Sequence, residues 1–272
     1  MRRARPGQPA SAAEQRVRSA DGTMIAFERA GQGPALVLVA GALTDRTVTR
    51  SVAAALAPRF TVYAYDRRGR GSSGDTAPYS AEREVEDLAA VIAAAGGSAL
   101  VFGHSSGAVL ALEAAARGLA ITRLAAYEPP YLTDAGRPRP ADDLAGRLAA
   151  LVASGRRAET IRLFWAEGPG FDAKTIALME ASPMWPGLLA LAHTVPYDVA
   201  LCGPGMRMPA DRMAAIRIPV LLLDGGLSAD WAHHTMRALA GAIPGARRIT
   251  LNGQGHGAAD DVLVPVLMKF FS

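Results

Sequence analysis

The sequence predicts an α/β protein: a mostly parallel, doubly wound sheet covered by helices, with a helical insertion over it. Three observations predict it. Short strand-like runs alternate with alanine-rich helical stretches, the runs are apolar throughout as strands buried on both faces are, and the alternation pauses once before resuming.

In chain order, RVRSADGTMIAFERAG reads as a hairpin turning at Asp21-Gly22, with alternating residues on either side. The runs ALVLVAG, FTVYAYD, SALVFGH and ITRLAAYE follow, separated by the helical stretches 46–57, 80–95 and 106–118. A double proline, Pro129-Pro130, then stops the alternation. Residues 131–210 hold helix-like pieces broken by Pro and Gly, with Trp165, Trp185 and several Met, and form the expected helical cap. Alternation resumes with IPVLLLDGG, the helical ADWAHHTMRALAG, the strand-like ARRITLNG and the final helix ADDVLVPVLMKFF. The core is therefore expected over residues 19–130 and 211–272.

Bulk composition narrows the function classes. A chain of 272 residues suits one large domain, or one with a sizeable insertion. Half of it is apolar, yet no apolar run approaches the roughly 18 residues of a bilayer span, so no membrane partner is expected. The formal charge of +4 resides entirely in residues 1–18, where five arginines oppose one glutamate. That segment reads as a disordered basic tail without a secretion signal, and a nucleic-acid partner is not expected. Cys202 is the only cysteine, which excludes an internal disulfide and points to a cytoplasmic location. Oligomerisation is left open.

The stretch Gly103-His104-Ser105-Ser106-Gly107 stands between an apolar strand and an alanine-rich helix. A serine hydroxyl is a poor nucleophile unless it is held exposed, near a base and beside donors for the oxyanion that forms. A tight strand-to-helix turn meets two of those needs, because the helix that follows presents free backbone N–H groups. The plain alternative is a turn in which Ser105 merely caps the helix.

GHSSG, with AYDRRGRGSSG at residues 64–74 and NGQGHGA at 252–258, resembles the α/β-hydrolase fold superfamily over essentially residues 20–272. The Asp66–Ser73 segment is similar to the DxRGxGxS loop that these enzymes carry after their fourth strand. The resemblance implies that Ser105 is the nucleophile and that His256, in the loop before the final helix, is its base. It also implies an oxyanion hole made by the backbone N–H of Ser106 and that of Ala42, with no metal or organic cofactor. His104 is expected at the pocket edge, beside the substrate.

The third member of the triad is the open question. Most members of the superfamily place an aspartate after the strand read here as PVLLLDGG, usually within GxxD, but Ser228 occupies that slot and cannot carry the charge. Asp224, Asp230 and Glu128 are available. Asp224 precedes the loop, and Asp230 before Trp231 looks like a helix N-terminus, where aspartate often caps. Glu128 ends a strand at the carboxyl edge, where parallel sheets gather their sites. It is the favoured acid and Asp230 the alternative. Certain haloalkane dehalogenases and the zearalenone lactonases likewise carry their acid after the sixth strand.

Acyl transfer is the expected chemistry, on a small apolar ester or lactone. Pro183-Met184-Trp185 and Thr194-Val195-Pro196 resemble a lid segment of the zearalenone lactonases, which makes Trp185 the expected substrate contact. Two further readings share the motifs: an acyltransferase or cyclase of secondary metabolism, and a non-catalytic ligand-binding member of the fold.

Overall fold

In the computed structural model, residues 13–134, 136 and 138–272 are described. Eight strands form one sheet: β1 (Glu14–Arg18), β2 (Met24–Ala30), β3 (Ala35–Val39), β4 (Thr61–Tyr65), β5 (Ala99–His104), β6 (Ile121–Tyr127), β7 (Val220–Gly225) and β8 (Arg247–Leu251). Their order is β1-β2-β4-β3-β5-β6-β7-β8, with β1 and β2 antiparallel to their neighbours and every later pair parallel.

The hairpin expected at Asp21-Gly22 forms. Gly22 takes φ +89°, Asp21 accepts from the Thr23 amide at 3.0 Å, and β1 pairs with β2 from Glu14 to Arg18. This corrects the expected disorder of residues 1–18 at its end, because residues 14–18 are paired strand. Residues 1–12 of that segment lie outside the described residues.

The period-two pattern of the inner strands divides the core between two faces. Val37, Val39 and Val101 pack under α2 (Ala81–Ala94), α3 (Ser106–Ala116) and α10 (Asp230–Ala242), with Leu88, Leu112 and Met236. Leu36, Leu38 and Phe102 pack on the opposite face under α1 (Arg50–Leu56) and α11 (Asp260–Phe271), with Leu56 and Leu267. Strand order reverses at β3: the chain steps outward to β4, then returns to lay β5 on the other side. The loops leaving β3 and β5 thus diverge at one point of the carboxyl edge, where doubly wound sheets form a crevice.

Between β6 and β7 the chain is helical: α4 (Leu144–Ala153), α5 (Arg157–Glu167), α6 (Ala173–Glu180), α7 (Trp185–Leu191), α8 (Val195–Cys202) and the short α9 (Ala210–Met213). These helices bury a core of their own around Leu144, Leu148, Ile161 and Trp165, which also takes in Leu43 from the loop after β3. That shared contact seats the helical segment on the crevice. Among the described residues no helix is long and apolar enough to cross a membrane.

Candidate active site

The turn from β5 into α3 is built by close approach. A Cβ at Gly103 would lie 2.6 Å from the Gly107 carbonyl oxygen, and one at Gly107 would collide with the Val39 and Ala40 carbonyls. Only glycine at both positions lets α3 start so near the sheet. Ser105 stands at the apex with φ +54° and ψ −125°, a conformation that L side chains rarely take. Its amide donates to the Tyr127 carbonyl at 2.8 Å, which pins the turn to β6.

Four non-glycine residues among those described have positive φ: Leu43, Ser105, Glu128 and Met206. All four line one cavity of about 430 Å³. Strain of this kind costs on the order of 1–3 kcal/mol per residue and persists where the surrounding fold over-determines it, which is characteristic of functional sites.

Ser105 and His256 both line that cavity. The His256 loop is tied down from below, where the Tyr127 hydroxyl donates to the Gly255 carbonyl at 2.5 Å and His104 Nε2 meets the His256 carbonyl at 2.7 Å. His256 Nδ1 meets Glu128 Oε2 at 2.6 Å. The other carboxylate oxygen, Oε1, accepts from the Gly225 amide at 2.7 Å and the Ser228 hydroxyl at 2.5 Å. Burial pushes the Glu128 carboxyl up, but the hydrogen bonds from His256, Gly225 and Ser228 outweigh it and hold the group below the usual carboxylate range. A buried anion against Nδ1 leaves Nε2 as the free nitrogen of the ring.

The other candidate acids lie elsewhere. Asp224 accepts from Arg248 Nη2 at 2.6 Å and from the Thr250 hydroxyl at 3.0 Å, and His233 Nδ1 stands 2.5 Å from its Oδ2. Asp230 heads α10, exposed and outside the cavity lining. Of the three carboxylates, only Glu128 meets His256.

Two expected substrate contacts need correction. Trp185 does not line the cavity; it packs on Trp165, ring centroids 6.0 Å apart, and Trp165 and Trp231 line the cavity instead. His104 does not line it either, because its ring is turned back beneath His256. Burial, reinforced by the charge of His256, pushes the His104 imidazole down to about 4, so it is neutral at physiological pH.

Ala42 and Ser106 line the cavity. Sequence reasoning missed what lies behind them. Arg67, Arg70 and Asp198 are buried just behind the two loops: Arg67 holds Glu84 through two bonds of 2.6 and 2.7 Å, and Arg70 donates to the Gly41 carbonyl at 2.7 Å. The surplus arginines of the Asp66–Ser73 segment were the available signal. Among the described residues no group of three His, Cys, Asp or Glu side chains could hold a metal ion.

A family model described as "Alpha/beta hydrolase family" matches residues 36–264. The chain belongs to the alpha/beta hydrolase family. As a member of this family it is a hydrolase, and its relatives span several chemistries. It is 29% identical over 260 residues to a putative carbamate hydrolase, RutD, of Azorhizobium caulinodans, covering 90% of this chain and 93% of that protein. Over 104 residues it is 39% identical to N-formylmaleamate deformylase of Pseudomonas putida, covering 37% of this chain and 39% of that one. The crystal structure of an alpha/beta hydrolase from Sphaerobacter thermophilus superposes with a TM-score of 0.90 at 55% identity, over 95% of this chain and all of that one. In this hydrolase the family's strand-to-helix serine turn and its histidine loop share one cavity, whereas the carboxylate beside the histidine comes from the end of β6.

Proposed function

We propose that the protein hydrolyses an uncharged, apolar carboxylic ester or lactone through an acyl-enzyme on Ser105. The observation that carries the reading is the 2.6 Å contact of Glu128 with His256 Nδ1 in the cavity that also holds Ser105. Glu128 holds the imidazole in the tautomer that leaves Nε2 as base and stabilises the imidazolium that forms. Ser105 Oγ, giving its proton to His256, attacks the carbonyl carbon; the oxyanion is met by the Ala42 and Ser106 amides. The tetrahedral intermediate collapses as His256 protonates the leaving alkoxide. Water, deprotonated by the same histidine, then releases the acid and regenerates the serine.

The lining favours the substrate class. Phe164, Trp165, Phe171, Met179 and Trp231 supply apolar wall, while neither lysine nor arginine is among the lining residues. A substrate carboxylate would therefore enter without a cationic partner among the lining residues, against the charge of Glu128. The helical segment between β6 and β7 acts as the cap over this pocket.

The test is hydrolysis of p-nitrophenyl acetate and butyrate, followed by a panel of lactones, amides and carbamates, with the wild type, Ser105→Ala, Glu128→Ala and Asp230→Ala. Loss of on the order of 10²-fold or more in the first two variants, with Asp230→Ala near wild type, supports the reading. An inactive Asp230→Ala with an active Glu128→Ala would sink the assignment of the acid. Preference for the amides or carbamates would replace the ester by a C–N substrate on the same residues.

A further inference from the structure

The geometry points to Asp198 as a positioning residue that sets both oxyanion donors at once, from a helix outside the sheet. The inference rests on the proposed role of the Ala42 and Ser106 amides.

Asp198 lies on α8, with a side chain 2% exposed. Three donors converge on its Oδ1: the Ser106 hydroxyl at 2.7 Å, Arg70 Nη2 at 2.8 Å and Arg67 Nη1 at 2.9 Å. Its Oδ2 is buried without a hydrogen-bond partner. The carboxylate thus spends all its bonding on one oxygen, although its second could accept as much. The groups it gathers explain the arrangement.

One route runs through the Ser106 side chain, which is held by Asp198 and receives Arg67 Nη1 at 3.0 Å. Fixing this residue at the first position of α3 fixes the amide expected to meet the oxyanion. A second route runs through Arg70, whose Nη1 donates to the Gly41 carbonyl at 2.7 Å, where Thr44 Oγ1 also donates at 2.8 Å. The Gly41 carbonyl and the Ala42 N–H belong to one planar peptide, so holding the oxygen aims the hydrogen. A guanidinium on that oxygen also draws electron density from the peptide and makes its N–H a stronger donor.

Charge is balanced within the cluster. Two guanidiniums face Asp198 and Glu84, and Arg67 and Arg70 outweigh the effect of burial to hold the Asp198 carboxyl below its usual range. Buried ion clusters are poor stabilisers compared with apolar packing, so such a cluster is better explained by orientation than by stability. Because Asp198 arrives on α8, seating of the helical segment and assembly of the oxyanion hole are one event.

The experiment compares Asp198→Asn, Arg70→Gln and Arg70→Lys with the wild type, with folding checked by circular dichroism. It reads kcat and KM on p-nitrophenyl butyrate, inhibition by phenylboronic acid, and the amide shifts of Ala42 and Ser106 by NMR. In Asp198→Asn and Arg70→Gln, kcat is expected to fall by on the order of 10²-fold with KM within about threefold, and the boronate Ki to rise in step. Both amide resonances move in Asp198→Asn. In Arg70→Gln the Ala42 resonance moves most, and Arg70→Lys, which keeps the charge on Gly41, recovers much of kcat. Should Asp198→Asn fail to fold, the Arg70 pair carries the test alone. Equal losses in Arg70→Lys and Arg70→Gln, or a kcat within threefold of wild type in either Gln or Asn variant, overturns the proposal. If the wild type neither hydrolyses esters nor binds the boronate, the serine-hydrolase reading fails separately. The amide shifts then decide: unmoved resonances overturn the positioning role, and moved ones uphold it.

Discussion

The Ser228 hydroxyl donates to Glu128 Oε1 at 2.5 Å. The residue standing where an aspartate was expected therefore touches the carboxylate that meets His256, and the loop after β7 still serves the imidazole through an intermediary.

The two acid positions should accordingly be exchangeable. Glu128→Ala is expected to lower kcat by about 10²- to 10⁴-fold, as removal of a triad acid does. Adding Ser228→Asp to that variant should restore at least tenfold, because the new carboxylate starts within one hydrogen bond of the vacated site. Ser228→Ala alone should cost tenfold or less, since the Gly225 amide still holds Glu128. A double variant as inactive as Glu128→Ala would show that the β7 loop cannot reach the ring.

Strain at the nucleophile gives a stability prediction. Ser105 holds φ +54° against the preference of any residue with a Cβ, and glycine relieves it. Ser105→Gly should raise the Tm by on the order of 2–4 °C, corresponding to about 1 kcal/mol, while abolishing hydrolysis. Calorimetry of the two proteins measures it; an unchanged or lower Tm would mean that the turn is not strained.

The two tryptophans should separate kinetically. Trp231 lines the cavity and Trp185 stands behind Trp165. Trp231→Ala is expected to raise KM for aromatic esters about tenfold, whereas Trp185→Ala leaves it within threefold. The opposite ranking would return Trp185 to the substrate.

His104 makes stability depend on pH. Its folded value of about 4 lies below the reference of 6.5. Between those values the unfolded chain binds a proton there that the folded chain excludes, so this residue lowers stability as pH falls from 6.5 towards 4. His104→Gln should flatten that part of the profile, so that the stability of the variant relative to the wild type is higher at pH 4.5 than at pH 7. Urea unfolding at the two pH values checks it; parallel profiles would mean that His104 is protonated in the fold.

Much of this was legible in the sequence because it is written at short spacing. Continuous apolar runs made the inner strands, Asp21-Gly22 made the hairpin, and two glycines around a serine made the turn that exposes Ser105. The loop position of His256 before α11 was readable for the same reason. Residues 14 and 15 were read as tail only, and 16–18 as both tail and hairpin strand, because a polar, arginine-bearing stretch resembles a tail. Its pairing depends on β2 lying beside it, with Arg46 held between Glu14, Glu28 and Asp66.

The sequence by itself determined the fold class, the serine turn and the histidine loop, since each follows from periodicity or from steric demands within a few residues. The tertiary structure decided what meets across the chain. Glu128 is 128 residues from His256, and Asp198 is 92 from Ser106. It also decided that Trp165 and Trp231, rather than Trp185, wall the cavity. Such contacts depend on where whole loops and helices come to rest on the carboxyl edge. A displacement of a few ångströms there separates a hydrogen bond from none, and no local pattern records it.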